Sequence, residues 1–172
     1  MSEIDKRRQY QPSITVYDFG CGRYDPIFFL GKKLEENCPN TQYKGFDVEE
    51  DTKWNIEKRN IGSNQNNFKD LAAKTDICVL SRVLSWGVQA WQNTLRNAAK
   101  CLKPGGTLIL MEHDSFFWNY FPNSEKKQWP ESLLGCSAAI GGWIYRQPIY
   151  GSEQIPYWIS LIFQKPLGLQ TL

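Results

Sequence analysis

Short apolar runs alternate along the chain with longer stretches of helical period, and this alternation predicts strands joined through helices. The first run, Ile14-Thr15-Val16-Tyr17, is β-branched and aromatic and ends in Asp18; Gly20 and Gly22 follow, and Asp25-Pro26 opens a helical pattern. From Pro26 to Asn37, residues Ile27, Leu30 and Leu34 fall on one stripe with Lys and Glu opposite, and Pro26 stands where a first helical residue is tolerated. Cys38-Pro39-Asn40 is a turn signal, and Tyr43 to Asp47 reads as a second short strand ending in another acid. Together these segments predict a βαβ unit. Asp51 to Lys74 reads only as a connector, with a short strand or helix around Ile56 to Ile61 and a polar loop after it.

The run from Thr75 to Leu84 is entered through an acid and is apolar throughout its middle, as suits the centre of a parallel sheet covered on both faces. Gln89 to Leu102 carries Trp91, Leu95, Ala98, Ala99 and Leu102 on one helical stripe. Lys103-Pro104-Gly105-Gly106 is expected to end that helix sharply, with Thr107 to Met111 beginning the next strand. Asn123 to Leu134 reads as a short helix containing Trp129, and Gly142 to Tyr150 with Ile155 to Gln164 reads as a closing hairpin. The expected fold is α/β: a mostly parallel central sheet with an antiparallel C-terminal strand and helices on both faces.

Length and charge narrow this picture little. At 172 residues one domain is expected over 1–172, with the charged residues 1–12 as a flexible lead-in. Twenty basic and 18 acidic residues nearly cancel, so no global field commits the chain to nucleic acid. The five cysteines contain no CxxC pair, which argues against a disulfide framework or a zinc site and for a reducing, cytoplasmic setting without a metal. No apolar run approaches membrane-spanning length, so no membrane partner is expected.

Candidate chemistry gathers where strands end. Glycines at 20 and 22 let backbone approach a ligand closely, and the helix start beyond them offers unpaired N–H groups to an anion. Asp47 lies 29 residues after Asp18, at the end of the second strand, where one carboxylate can accept hydrogen bonds from both hydroxyls of a ribose. His113, the one histidine, follows the fifth strand between Glu112 and Asp114; an imidazole beside carboxylates can act as a general base, and a strand-end histidine bonded to backbone is the equal alternative. Phe116, Phe117, Trp118, Tyr120 and Phe121 read as core or interface, or as a lid that stacks a planar substrate. The 116–121 region is therefore the expected surface for a protein partner or a second copy.

Four segments in order resemble the class I S-adenosylmethionine-dependent methyltransferases: Val16 to Gly22 (V-Y-D-F-G-C-G), Gly45 to Asp47 (G-F-D), Thr75 to Trp86, and Leu95 to Glu112 with its K-P-G-G turn. The resemblance implies a Rossmann-like fold, S-adenosyl-L-methionine as cofactor and methyl transfer as the activity. It implies that Gly20, Cys21 and Gly22 line the methionyl part, that Asp47 holds the ribose, and that Asp18 supports the loop or reaches the methionyl ammonium through water. Ser81 and Arg82 would lie beneath the sulfonium, with His113 and Glu112 as the candidate catalytic pair. Three departures stand out: Tyr24 replaces the family's usual third glycine, few residues precede the first strand to cover the pocket, and Ser81-Arg82-Val83-Leu84 replaces the Asn/Asp-Pro-Pro-aromatic tetrapeptide of many nucleobase amino-methylating enzymes. The passage Leu95 to Gly106 is similar to cap guanine methyltransferases, which leans the acceptor towards RNA, a cap or other 5′ end. A small-molecule acceptor and a catalytically inactive scaffold subunit remain alternatives, whereas a dehydrogenase is disfavoured because G-x-G-x-x-G is missing.

Overall fold

The computed structural model describes residues 13–22, 30–48, 50, 52–63, 68–83, 91–113, 144–150 and 158–167, with side chains for all of these except 113, 144–150 and 158–160. Seven strands form one sheet: β1 (Ile14–Phe19), β2 (Thr41–Asp47), β3 (Ile56–Lys58), β4 (Thr75–Ser81), β5 (Leu102–His113), β6 (Ile144–Tyr150) and β7 (Trp158–Gln164), in the spatial order β3-β2-β1-β4-β5-β7-β6. Strands β3, β2, β1, β4 and β5 pair in parallel, and β7 runs antiparallel to both β5 and β6. The expected mixed sheet is present, and β7 is its one reversed strand among the described residues.

Helix α1 (Leu30–Asn37) links β1 to β2, and α2 (Trp91–Cys101) links β4 to β5. These two crossovers step in opposite directions across the sheet, and right-handed connections therefore put the helices on opposite faces. On the α2 face, alternate strand residues Phe19, Phe46, Leu80, Leu110 and Phe163 are fully buried against Leu95, Ala98 and Cys101 of the helix. Burial of such side chains contributes roughly 1.5–3 kcal/mol each.

Among its described residues, the connector that sequence left open is short irregular structure around β3. Single 3-10 turns at Thr52–Trp54 and Lys69–Leu71 flank it, and a three-residue strand is too short to show an apolar period. Phe68 packs at 5.1 Å from Phe19 and 5.6 Å from Phe46, ring centroid to centroid. Arg59 lies over the Phe46 and Phe68 rings and forks onto Asp70 through two hydrogen bonds of 2.8 and 2.7 Å. The guanidinium holds the Asp70 carboxyl at about 2.

One boundary differs from expectation. Lys103-Pro104-Gly105-Gly106 does not separate α2 from the next strand; β5 begins at Leu102, directly after the helix. Thr75 pairs with Leu102 but Ile77 pairs with Thr107, so the extra residues on β5 bulge out, with Gly105 at a φ of +78°. Helix α2 is closed from elsewhere: the Lys165 ammonium donates to the carbonyls of Ala99 and Leu102, at 2.9 and 2.7 Å. The stripe on α2 is otherwise as expected at Leu95 and Ala98, but Leu102 belongs to the strand. The expected Asn123 to Leu134 helix, residues 1–12 and the 116–121 aromatics lie outside the described residues.

Since aromatic packing rather than the exposed carboxylate anchors this connector, Phe68→Ala is expected to cost about 3–5 kcal/mol in urea unfolding. Asp70→Ala, at a side chain 60% exposed, should cost less than about 1 kcal/mol.

Candidate functional site

Because β1, β2, β4 and β5 are parallel, their carboxyl ends share one rim of the sheet. The chain leaves β1 towards β2 on one side and returns as β4 on the other, so the rim has its change of direction between β1 and β4. Gly20 sits there. It donates its N–H to the Phe46 carbonyl at 2.7 Å and has a φ of +71°. A Cβ at Gly20 would lie 2.5 Å from Val83 Cγ2 and 3.3 Å from Ile61 Cδ1, so both conformation and space require glycine. Gly22, also left-handed at +70°, faces open space. Val83 belongs to the expected β4 run but lies beyond the strand, which stops at Ser81.

The loop is fastened by Asp47. Oδ2 accepts the Gly22 N–H at 2.7 Å, and Oδ1 accepts the Val48 N–H at the same distance. Each oxygen retains acceptor capacity, because an ionised carboxylate has about four lone-pair sites. Val48 follows as an exposed apolar side chain.

Beneath the loop, on the face opposite α2, Asp18 is only 6% exposed. The Tyr43 hydroxyl donates to Asp18 Oδ2 at 3.2 Å and is also hydrogen-bonded to the Cys21 sulfur. Gly45, between Tyr43 and Asp47 on the same face of β2, leaves the room: a Cβ there would lie 2.7 Å from Cys21 Sγ and 3.1 Å from the Tyr43 oxygen. Burial pushes the Asp18 carboxyl up to about 7; the Asp47 charge adds to this and the Tyr43 hydrogen bond opposes it. Burial pushes the Cys21 thiol up to about 12, with the Asp18 and Asp47 charges adding. Burial likewise raises the Tyr43 hydroxyl, so both groups are neutral donors at physiological pH.

At the end of β4, Ser81 is half-buried and Arg82 exposed, and Arg82 donates its N–H to the Met111 carbonyl at 2.8 Å. Arg82 has a φ of +57°, an uncommon conformation for a residue with a side chain. Glu112 is fully buried and, by strand alternation with Leu108 and Leu110, lies on the α2 face, away from Asp18. His113 ends β5 opposite Trp158, its side chain outside the description. The rim thus gathers Asp18, Gly20, Cys21, Gly22 and Asp47, with Ser81 ending the adjoining strand and Arg82 just beyond it; Glu112 points to the other face. Tyr24, Asp25 and Asp114 lie outside the described residues.

Sequence reasoning missed Tyr43, Ile61 and Asn97. Residues 43, 45 and 47 share one strand face, so Tyr43 beside a glycine and two acids was a readable signal. Ile61 and Asn97 gave none. Asn97, 4% exposed on α2, donates its amide to the carbonyls of Ile61 and Ser63 at 2.8 and 3.1 Å, which holds the turn after β3 against Gly20.

Asp18 has a folded-state pKa of about 7, above the roughly 3.9 of an unfolded aspartate, so the native state binds the extra proton between those values. Its contribution to stability is full below about pH 4 and is lost as pH rises to about 7. The unfolding free energy of the wild type minus that of Asp18→Asn should accordingly fall by up to about 4 kcal/mol over that window, read from urea titrations. Parallel pH curves for the two proteins would refute the assignment.

Comparison with known proteins agrees with this architecture. The methyltransferase domain family matches residues 3–148. A thiol S-methyltransferase of Homo sapiens is 24% identical over 139 residues, covering 76% of this chain but 57% of its own length, so the chain spans little more than half of that curated relative. Among solved structures, a 16S rRNA (adenine(1408)-N(1))-methyltransferase from Catenulisporales acidiphilia superposes with a TM-score of 0.63 at 14% identity, covering 96% of this chain and 93% of that one. The N-methyltransferase NodS from Bradyrhizobium japonicum, in complex with S-adenosyl-L-homocysteine, gives 0.58 at 13% identity, covering 95% and 87%. With a family match over most of its length and the sheet order and strand-end glycine loop described above, the chain belongs to the methyltransferase domain family, of the class I, Rossmann-like kind.

Proposed function

We propose that this protein transfers a methyl group from S-adenosylmethionine to an acceptor molecule, with the cofactor held at the carboxyl rim of β1, β2 and β4. The observation that carries the reading is the Asp47 carboxylate, which fastens the glycine loop through Gly22 and still has acceptor sites for a ribose diol. Two further features fit the same ligand. Gly22 opens on free space where backbone can approach it, and Asp18 offers a buried carboxyl group whose ionised form suits an ammonium group.

When bound, the cofactor supplies a methyl group on a sulfonium centre, which already carries a good leaving group. The chain's own task is then alignment, exclusion of water and, for a hydroxyl or ammonium nucleophile, acceptance of a proton. Gly20, Cys21 and Gly22 would lie along the methionyl part, and Ser81 and Arg82 beside the reacting group. His113, at the end of β5, is the candidate proton acceptor on the same rim. Glu112 is too deeply buried on the α2 face to reach an acceptor directly.

Two acceptor classes have support. RNA is favoured by the passage Leu95 to Gly106 and by the structural likeness to the 16S rRNA enzyme. A small thiol is favoured by the likeness to the human thiol S-methyltransferase.

Calorimetric titration with S-adenosylmethionine and S-adenosylhomocysteine should show binding of both. Absence of binding by either would favour the inactive scaffold subunit. Asp47→Ala should weaken binding by about 1–3 kcal/mol, roughly 5- to 150-fold. Label from a methyl-tritiated cofactor should then appear in RNA or in a small thiol when both are offered.

A further inference from the structure

We propose that Tyr43 is a positioning residue of the cofactor pocket: its hydroxyl, held between the Asp18 carboxylate and the Cys21 sulfur, keeps Asp18 charged for a cationic group of the ligand and ties β2 to the glycine loop. The proposal rests on the cofactor reading given above and assigns a role to a residue outside the glycine turn and its two acids.

The geometry sets the direction of the hydrogen bonds. At neutral pH the Cys21 thiol and the Tyr43 phenol both keep their protons, so the phenol proton is available to Asp18 while the phenol oxygen accepts from the thiol. The Tyr43 hydroxyl reaches Asp18 Oδ2 at 3.2 Å, and this donor stabilises the charged form of a carboxylate that is otherwise deprived of water. Gly45 makes the arrangement possible, because a side chain there would occupy the position of the Cys21 sulfur.

Among the described residues, the titratable groups acting on Asp18 come from three elements. Tyr43 and Asp47 stand on β2, Cys21 in the loop after β1, and Cys78 on β4 senses the Asp18 charge through the sheet. Of these, Asp47 opposes ionisation of Asp18, and Tyr43 favours it. The backbone partners of Asp18 in the sheet, Gly45 and Val79, carry no charge. Tyr43 is thus the group through which the fold supports the charged form.

Ligand affinity should therefore follow the ionisation of Asp18. In calorimetric titrations of the full chain with S-adenosylhomocysteine between pH 5.5 and 9, wild-type affinity is expected to rise through about 7 as Asp18 ionises. Removing one hydrogen bond to a charged group moves such a midpoint up by about one pH unit. Tyr43→Phe should therefore bind about fivefold more weakly at pH 7, and within about twofold of wild type at pH 9. The ligand's own amino group titrates alike with both proteins and cancels in the ratio.

A second readout needs no ligand. In urea titrations of the free protein, the pH range over which the Asp18 contribution is lost should extend upward by the same amount in Tyr43→Phe. In an Asp18→Asn background, Tyr43→Phe should leave the pH profile of binding unchanged. A uniform loss of affinity at every pH would overturn the proposal, since a purely structural role for the ring predicts it. So would a wild-type affinity independent of pH, or a midpoint unmoved in both readouts. Failure of S-adenosylhomocysteine to bind at any pH would remove the cofactor reading and this proposal together, whereas binding with an unmoved midpoint would remove this proposal alone.

Discussion

A carboxylate almost without water, answered by a phenol, is the constraint from which the rim of this sheet follows. Charging Asp18 in that position is costly, and the fold meets the cost with a hydroxyl and with nearby space for a ligand. The neighbouring choices are consequences. Tyr43 has to lie on the same face of β2 as Asp18 does on β1, Gly45 has to lack a side chain so that Cys21 can fold back, and the loop between them has to turn through left-handed glycines. Asp47, one step along the same face, closes the arrangement by holding the loop at Gly22.

The rest of the chain keeps these few side chains in register. Parallel pairing of β1 with β2 and β4 aligns their ends, while the apolar layer on the α2 face fixes the strands against sliding, because a one-residue slip would turn Phe19, Phe46 and Leu80 outward. Asn97 extends that control sideways: its buried amide secures the turn after β3, and Ile61 of that turn packs beneath Gly20. A helix on one face of the sheet thereby helps to shape a loop at its rim.

Much of this was legible in the sequence where local chemistry and period agree. Asp18 and Asp47 each end a short β-branched or aromatic run, and Gly20 and Gly22 mark a turn that other residues resist; the structure has all four on one rim. The β4 core and the reversed C-terminal strand followed from apolar runs bounded by turn signals. Other features were hidden for physical reasons. Strand β3 is held by pairing with β2 and by the aromatic packing beside it, not by a pattern of its own, and three residues cannot display one. The K-P-G-G passage carries the signals of a helix stop and a turn, yet sheet pairing and the distant Lys165 make it a bulge within β5. Asn97 interrupts an apolar stripe, and only its partners 34 and 36 residues away explain why a polar group is buried there. Glu112 looked like part of the rim because it stands near the end of β5, but strand alternation puts its side chain on the α2 face.

The position of β7 governs the order in which the molecule can be made. Late in the chain yet second from the edge of the sheet, β7 lies between β5 and β6 and pairs with both. As the polypeptide leaves the ribosome, the half of the sheet that carries the glycine loop can assemble from nearby segments, while the outer edge of β5 stays unpaired until residues 158–164 emerge. Until then Leu108 and Leu110 lack the neighbours Phe163 and Leu161 that stand beside them in the finished sheet, and an open strand edge is a template for unwanted pairing. The binding rim is thus built from early segments, and the edge of β5 is covered only when β7 follows.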